Sequence, residues 1–363
     1  MITQKSITKE WIEQVFKTQK ADKILVEKVI RALILLEGLA ESGLDFVFKG
    51  GTALMLMLDK SRRLSIDIDI MIEDNNLNLS KIINSIVQSK NFIRFEKQER
   101  KAGTDIEKEH YKLFFQSAVE NKESHILLDV LKEDVHYQNI IETPINSVFI
   151  ENSDKTVIVK TPDFNNILGD KLTTFAPNTT GIPYYKGDKP CSMEIIKQLY
   201  DIASLFDYIN DLTVTNNTFR KFATVELAYR NLNINDIQQV LDDIYQTSLC
   251  ICLQGQIENE NFKLLQDGIK RIQGFIYGEK YYLDTAIINA SKAAYLSILI
   301  SNNLTEVEHF DKNNIQELQN ATIENPLPTK LNKLKKSNIE AFFYWNKVYE
   351  IQKEKRYGAN ASS

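Results

Sequence analysis

The residues best suited to chemistry begin with a glycine pair that follows a short apolar run. Residues 46–48 are β-favouring and too few for a helix, so they predict a buried strand that leads into Lys49. Gly50 and Gly51 allow a positive φ and a close backbone approach to a ligand, and Thr52 is placed to cap the apolar helix that follows. Free N–H groups and the positive end of the helix dipole make such a turn a phosphate site.

A second strand carries two aspartates. Asp67 and Asp69 alternate with isoleucines, so they share one strand face with Ser65 and lie fifteen residues or more beyond Thr52. Neighbouring carboxylates repel each other unless a cation lies between them, and Mg²⁺ takes carboxylate oxygens together with substrate phosphates. A single Asp-x-Asp usually marks a solvated strand face. Its combination with the glycine turn predicts a site that binds a metal and a nucleotide. We expect Ser65 to be one of the nucleotide-binding residues.

Three more charged residues stand out further along the chain. Asp129 is an acid within the otherwise apolar run 126–131, where a buried carboxylate is costly unless it is paired or binds metal. Lys171 falls on or near the apolar face of a predicted helix, so it needs an anionic partner or must extend to solvent. Asp201 lies four residues after Lys197 on a later helix, where a plain ion pair is the simpler interpretation.

The combination of Lys49-Gly50-Gly51-Thr52 with Arg63-x-Ser65-x-Asp67-x-Asp69 resembles the AbiEii/AbiGii-type nucleotidyltransferase toxins, within the DNA-polymerase-β-like nucleotidyltransferase superfamily. A threonine stands where the wider superfamily usually has serine, which keeps the hydroxyl. The resemblance implies that this turn binds the triphosphate. It also implies that the two aspartates hold Mg²⁺ or Mn²⁺, with Asp129 as the third metal ligand.

Two helical stretches extend the resemblance. The segment 168–177 is similar to the family's third motif, in which a lysine, here Lys171, reaches the nucleotide phosphates. The segment 197–202 resembles the fourth motif, usually Arg-Asp-x-Tyr-Asp, although Gln198 stands where the first aspartate is often found. The resemblance makes Asp201 a general base or an organiser of the site. Asp129 and Asp201 are then the candidates for aiding deprotonation of the acceptor.

This resemblance implies transfer of a nucleoside monophosphate from a nucleoside triphosphate to an acceptor hydroxyl, with release of pyrophosphate. In the family the acceptor is RNA, notably a tRNA 3′ end. The protein would then act as the toxin of a toxin–antitoxin or phage-defence (abortive infection) system, with a cognate antitoxin as a possible partner. Two alternatives stay open at this point. One is a nucleotidyltransferase that modifies a protein or a small molecule, and the other is a non-catalytic nucleotide-binding module.

Composition limits the class of protein. A net charge of −5 argues against a protein that coats nucleic acid, although it permits a local basic groove. The three cysteines cannot form a disulfide framework, which fits a reducing cytoplasm. The first residues contain no apolar signal core, and no apolar run approaches about 18 residues. We therefore expect a cytoplasmic protein that does not span a membrane.

The patterns predict an α+β fold in two domains, which suits a chain of 363 residues. Residues 1–160 should form a polymerase-β-like nucleotidyltransferase domain, a mixed sheet flanked by helices that include 8–19, 21–42 and 78–90. Strands are expected near 92–101, 109–117 and 124–133, with an edge strand within 148–160. Residues 161–363 should form a helical domain that contributes Lys171 and Asp201 to the cleft.

Overall fold

The computed structural model describes residues 1–73, 77–98 and 107–361. It divides into two compact units, the first formed by Met1–Asp163 with Gln273–Lys280 and the second by Phe164–Ile272 with Tyr281–Ser363. The sequence placed this division at residue 160 and did not anticipate that residues 273–280 return to the first unit. The sequence also predicts a polar loop at 73–76. Part of that loop and the end of the predicted strand 92–101 lie outside the described residues.

A mixed sheet is the centre of the first unit. Within the described residues it has seven strands, which are β1 (Val47–Lys49), β2 (Ile68–Ile72), β3 (Arg94–Gln98), β4 (Glu107–Gln116), β5 (Glu123–Lys132), β6 (Ile140–Pro144) and β7 (Ile158–Pro162). Their order is β3-β4-β5-β2-β1-β7-β6. The pairs β2–β5 and β1–β7 are parallel and the other pairs are antiparallel. The expected mixed sheet is thus confirmed.

The prediction of an edge strand within 148–160 is wrong in two respects. Strand β7 begins only at Ile158 and lies between β1 and β6, so it is internal. The edge on this side of the sheet is β6, a strand that the sequence did not predict. Its first residues, Ile140 and Ile141, are both substantially exposed, so this strand lacks the alternation between buried and exposed positions on which a sequence-based assignment depends.

Helices cover one face of this sheet. The first unit contains α1 (Lys9–Gln19), α2 (Lys23–Glu41), α3 (Gly50–Met57) and α4 (Leu79–Ser89). Thr8 caps α1 by accepting a hydrogen bond from the Trp11 N–H, and Asp22 caps α2 in the same way. The apolar side of α2 packs on alternate residues of β2 and β5, including Ile68, Ile70 and Leu128, and α4 packs on α2 and β3. The predicted helices 8–19, 21–42 and 78–90 are confirmed to within two residues.

Successive residues of each strand point to opposite faces of the sheet. On the helix-covered face, Glu109 of β4 lies 2.9 Å from the Lys132 ammonium and 3.0 Å from that of Lys97, and it also accepts a hydrogen bond from the Tyr111 hydroxyl. Desolvation alone would raise the pKa of Glu109, but these hydrogen bonds outweigh it and lower the pKa to about 2. Glu109 is therefore the centre of a charged cluster on the helix-covered face.

The second unit is helical. Its helices within the described residues are α5 (Phe164–Thr174), α6 (Ser192–Phe206), α7 (Thr213–Tyr229), α8 (Gln238–Cys252), α9 (Asn259–Ile272), α10 (Leu283–Ser301), α11 (Ile315–Asn320), α12 (Leu334–Ser337) and α13 (Ile339–Ala361). Helix α10 packs against α6, α8 and α13. By length and apolar composition α10 could cross a membrane, but 72% of its apolar window is buried inside the unit. This burial is typical of a core helix.

Candidate active site

The glycine turn packs directly against an aspartate of the neighbouring strand. Gly50 begins α3 with a φ of +82°, a conformation that L side chains rarely adopt. A Cβ added to Gly50 would lie 2.1 Å from Oδ2 of Asp69, and one added to Gly51 would lie 2.4 Å from Nη2 of Arg63. Neither distance leaves room for a side chain. A side chain at either position would force the turn or these charged groups to move.

Thr52 has a different role from the one expected. It lies inside α3 rather than capping it, and the residue at the cap position is Lys49, whose side chain makes no capping hydrogen bond. The Thr52 hydroxyl is buried and donates a hydrogen bond of 2.6 Å to the backbone carbonyl of Asp67. Thr52 therefore ties the helix to the acidic stretch. The start of α3 has no capping side chain, which suits an anion-binding site.

A line of polar side chains crosses the face of the sheet opposite the helices. The register pairs Lys49 with Asp69, Asp69 with Asp129, Asp129 with His110, and His110 with Gln98. Directly paired residues on neighbouring strands point to the same face. We call these five residues the polar row. It joins the residue that precedes the glycine turn to two of the three predicted metal ligands.

Asp129 is not buried in the way that the sequence suggested. Its side chain is 37% exposed, because it alternates with the buried residues Leu128 and Val130 and so points to the open face. Its Oδ1 lies 2.6 Å from Nδ1 of His110. His110 is not among the predicted site residues, and the local sequence gives no signal that it pairs with Asp129. Only the register of β4 against β5 brings them together.

Arg63 is a second residue whose importance only the fold shows. It belongs to the motif that marked this region, but the motif alone gives it no role. Its side chain is buried beneath the glycine turn, and Nη1 donates a hydrogen bond of 3.2 Å to the carbonyl of Leu64. Residues 273–280 hold this stretch in place, since the Leu64 N–H bonds to the carbonyl of Phe275 and the Tyr277 N–H to the carbonyl of Arg62. Ser65 also faces the turn, with its Oγ 2.8 Å from where a Cβ on Gly51 would lie.

The carboxylates supply part of a metal site. Among the described residues, no three His, Cys, Asp or Glu side chains are grouped closely enough to hold a metal ion by themselves. Asp69 and Asp129 are nevertheless in direct register on parallel strands, and Asp67 immediately precedes β2. Mg²⁺ is usually held by one or two carboxylates, with further oxygens from substrate phosphates and water. This set of oxygen donors therefore fits a divalent cation that binds together with a triphosphate.

Lys171 and Asp201 form a buried ion pair in the second unit. The Lys171 ammonium lies 2.9 Å from Oδ2 of Asp201, and their side chains are 10% and 2% exposed. The same ammonium donates a hydrogen bond of 2.9 Å to Oε1 of Gln198, which also accepts a bond from the Thr174 hydroxyl. Asp201 is thus the anionic partner that Lys171 was expected to need. Gln198 acts as a neutral acceptor at the position where the motif often has an acid.

A bare glycine turn against adjacent carboxylates, on the open face of a mixed sheet, suits an enzyme that handles a nucleotide through its phosphates. Sequence comparison gives the class, which is nucleotidyltransferase. Residues 34–271 match the family described as nucleotidyl transferase AbiEii toxin, type IV TA system. The match spans more than half of the chain, and the protein belongs to this family.

Two solved structures from Helicobacter pylori are similar to this chain. One is JHP933, with 14% sequence identity and a TM-score of 0.43, over 78% of this chain and 94% of that one. The other is described as a candidate nucleotidyltransferase, with 14% identity and a TM-score of 0.41, over 77% of this chain and 94% of that one. A comparison with curated proteins gives no match.

Proposed function

We propose that this protein transfers a nucleoside monophosphate from a nucleoside triphosphate to a hydroxyl of RNA, with a tRNA 3′ end as the acceptor. The reaction uses Mg²⁺ or Mn²⁺ and releases pyrophosphate. The observation that carries the proposal is the contact between Asp69 and the turn at Gly50, where only the absence of a side chain leaves room for the carboxylate. Asp69, which we propose as a metal ligand, therefore lies directly against the turn that we propose to bind phosphates.

The turn binds the β and γ phosphates. Gly51 and Thr52 contribute backbone N–H groups at the start of α3, and Lys49 and Ser65 contribute polar side chains beside it. Asp67, Asp69 and Asp129 hold the divalent cation. When bound, the cation polarises phosphoryl oxygens and offsets negative charge on the triphosphate.

Lys171 and Asp201 act as a unit. Lys171 supplies a positive charge that offsets charge developing on the leaving pyrophosphate. Asp201 is 2% exposed and paired with Lys171, which favours the role of organiser over that of general base. Asp129 is 37% exposed, which makes it the better candidate to approach the acceptor and to aid its deprotonation.

The biological setting follows from the family. A member of a type IV TA family acts as a toxin, and we expect a cognate antitoxin encoded with it. With tRNA as the acceptor, we expect the reaction to take place in the cytoplasm. An enzyme that modifies a protein or a small molecule would use the same nucleotide site. Screening of acceptors must therefore distinguish these alternatives from RNA.

The test is label transfer by the full chain. Each of the four α-labelled triphosphates is incubated with the protein, Mg²⁺ and total tRNA, and the products are separated on a denaturing gel. We expect one nucleotide to label tRNA, chelation by EDTA to stop the transfer, and added Mn²⁺ to restore it. Asp67→Ala and Asp69→Ala should each lower kcat by about 10²–10³-fold, the size expected for the loss of one electrostatic stabiliser.

Asp45→Ala is the matched control. Asp45 lies just before β1 and pairs with Lys160 in an exposed ion pair of 2.8 Å. Its removal takes an acid from the same unit without touching the glycine turn, so transfer should be unchanged. Absence of label transfer with all four nucleotides would refute the RNA reaction. Transfer that survives both aspartate substitutions would show that the site lies elsewhere.

A further inference from the structure

His110 belongs to the polar row but has no role in the proposed function. His110 lies on β4, directly opposite Asp129 of β5, and its ring nitrogen Nδ1 is 2.6 Å from the Asp129 carboxylate. The His110 side chain is 14% exposed and that of Asp129 is 37% exposed, so the bond is partly buried. An ionised carboxylate can only accept hydrogen bonds, and Nδ1 is therefore the donor. Within the described parts of the chain, the Asp129 carboxylate is the only hydrogen-bond partner of the His110 side chain.

The position of Asp129 makes such a bond useful. Asp69 and Asp129 are Cα partners on adjacent parallel strands, so two carboxylates emerge side by side on one face. Like charges placed directly opposite each other across strands are destabilising. Without a donor on the far side, the Asp129 carboxylate would be free to rotate away from its neighbour. The His110 N–H holds one of its oxygens and leaves the second for another ligand.

The surroundings argue that His110 is there for this purpose. The residue before it, Glu109, points to the opposite face, where it belongs to the buried cluster with Lys132 and Lys97. That cluster fixes which face of β4 each residue occupies, so His110 is held on the open face. His125 offers a contrast. It lies four residues before Asp129 on the same face of β5, and its ring packs against Phe114.

We infer that His110 is a positioning residue that orients Asp129 for its part in the reaction. This inference rests on the proposed function, because Asp129 matters only if the carboxylates bind a metal with the nucleotide. While the bond to His110 stands, Asp129 offers a single oxygen to a ligand. Residues that hydrogen-bond to a metal-binding group typically change metal affinity by 10–100-fold when they are removed.

The test measures metal binding directly. Mn²⁺ is titrated into the full chain with a non-hydrolysable triphosphate and followed by EPR, and label transfer is measured on the same samples. We expect His110→Ala to raise the Kd for Mn²⁺ on the order of 10-fold. His110→Asn places an amide N–H near the position of Nδ1 and should restore most of the affinity. His125→Ala is the matched control and should leave the Kd unchanged.

A double substitution separates positioning from general damage. In an Asp129→Ala background, a further His110→Ala substitution should cause no additional loss of Mn²⁺ affinity, because the carboxylate that His110 holds is already absent. A wild-type Kd for Mn²⁺ in His110→Ala would overturn the inference. So would a His110→Ala effect on the Kd that is as large in the Asp129→Ala background as in the wild type. If the wild-type protein transfers label and the His110→Ala variant binds Mn²⁺ and transfers label equally well, only the positioning role is refuted. Wild-type protein that neither binds Mn²⁺ nor transfers label would refute the proposed function, and the inference with it.

Discussion

The two predicted parts of the active site are built in different ways. In the first unit the acids lie on an open sheet face. The Asp129 side chain is 37% exposed, and Asp69 lies against the turn at Gly50. In the second unit Lys171 and Asp201 form a pair whose side chains are 10% and 2% exposed, with Gln198 as a further acceptor. One region is accessible to ligands, whereas the other buries its charges and satisfies them internally.

This difference predicts which substitutions should lower stability and activity together. A buried ion pair that loses one partner leaves an uncompensated charge, which costs about 3–5 kcal/mol. A half-exposed carboxylate can remain in water when its neighbour changes, so its loss is cheap for the fold. We therefore expect substitutions at the lysine pair to lower both stability and activity. Substitutions at the turn and at the acids should lower activity far more than stability.

The largest effect is expected at the buried pair. Asp201→Asn should lower the free energy of unfolding by about 3 kcal/mol, since Lys171 then keeps its charge without a carboxylate partner. Its kcat for nucleotide transfer should also fall, on the order of 100-fold, if Lys171 acts on the leaving group. A Lys171→Met/Asp201→Leu double variant should recover most of the stability and none of the activity. Urea unfolding and steady-state label transfer measure the two quantities.

Lys292 provides the control for this substitution. It is another buried lysine of the second unit, with its side chain 8% exposed and its ammonium 2.7 Å from Asp207. Lys292→Met should lower stability without changing kcat or KM of the folded fraction. If Asp201→Asn behaved in the same way, the Lys171 pair would be a structural element and no part of the catalytic machinery.

A smaller loss, mainly of activity, is expected at the glycine turn. Gly50→Ala introduces a Cβ 2.1 Å from Oδ2 of Asp69 at a φ of +82°, so the carboxylate or the turn must move. A displacement of about 1 Å can lower the rate on the order of 100-fold. Gly43→Ala is the matched control, because Gly43 has a φ of +76° and nothing within 4 Å of an added Cβ.

The control isolates the clash from the strain of the backbone. Both alanines pay the penalty for a positive φ, about 1–2 kcal/mol, which thermal unfolding would detect in each variant. Only Gly50→Ala should lose transfer activity. Equal activity in the two variants would contradict the contact between the turn and the acid that carries the proposed function.

The smallest effect is expected at Thr52. Thr52→Val removes the donor to the Asp67 carbonyl and should lower the free energy of unfolding by about 1 kcal/mol, with a modest rise in KM for the nucleotide. Thr52→Ser keeps the hydroxyl and should retain the wild-type KM. Steady-state kinetics with the labelled nucleotide distinguish the two. A serine variant as impaired as the valine variant would point to packing of the methyl group instead.

The sequence predicted the turn and the paired acids because both depend on short stretches of chain. Glycine at consecutive positions and acids at alternate positions of a strand have direct local consequences. The wrong role for Thr52 shows the limit of that reasoning. A hydroxyl at the start of a helix usually caps it, but here α3 begins two residues earlier, at Gly50. The hydroxyl instead bonds to Asp67, fifteen positions away along the chain.

By itself, the sequence determined the class of enzyme and the α+β fold, and it predicted the residues of a nucleotide site. Only the tertiary structure decided that Asp129 is exposed and bonded to His110, that Asp201 is the partner of Lys171, and that residues 273–280 support Arg63. The physical reason is that alternation along a strand or helix is a local property. The register between strands and the packing between helices depend on contacts between residues far apart in the chain.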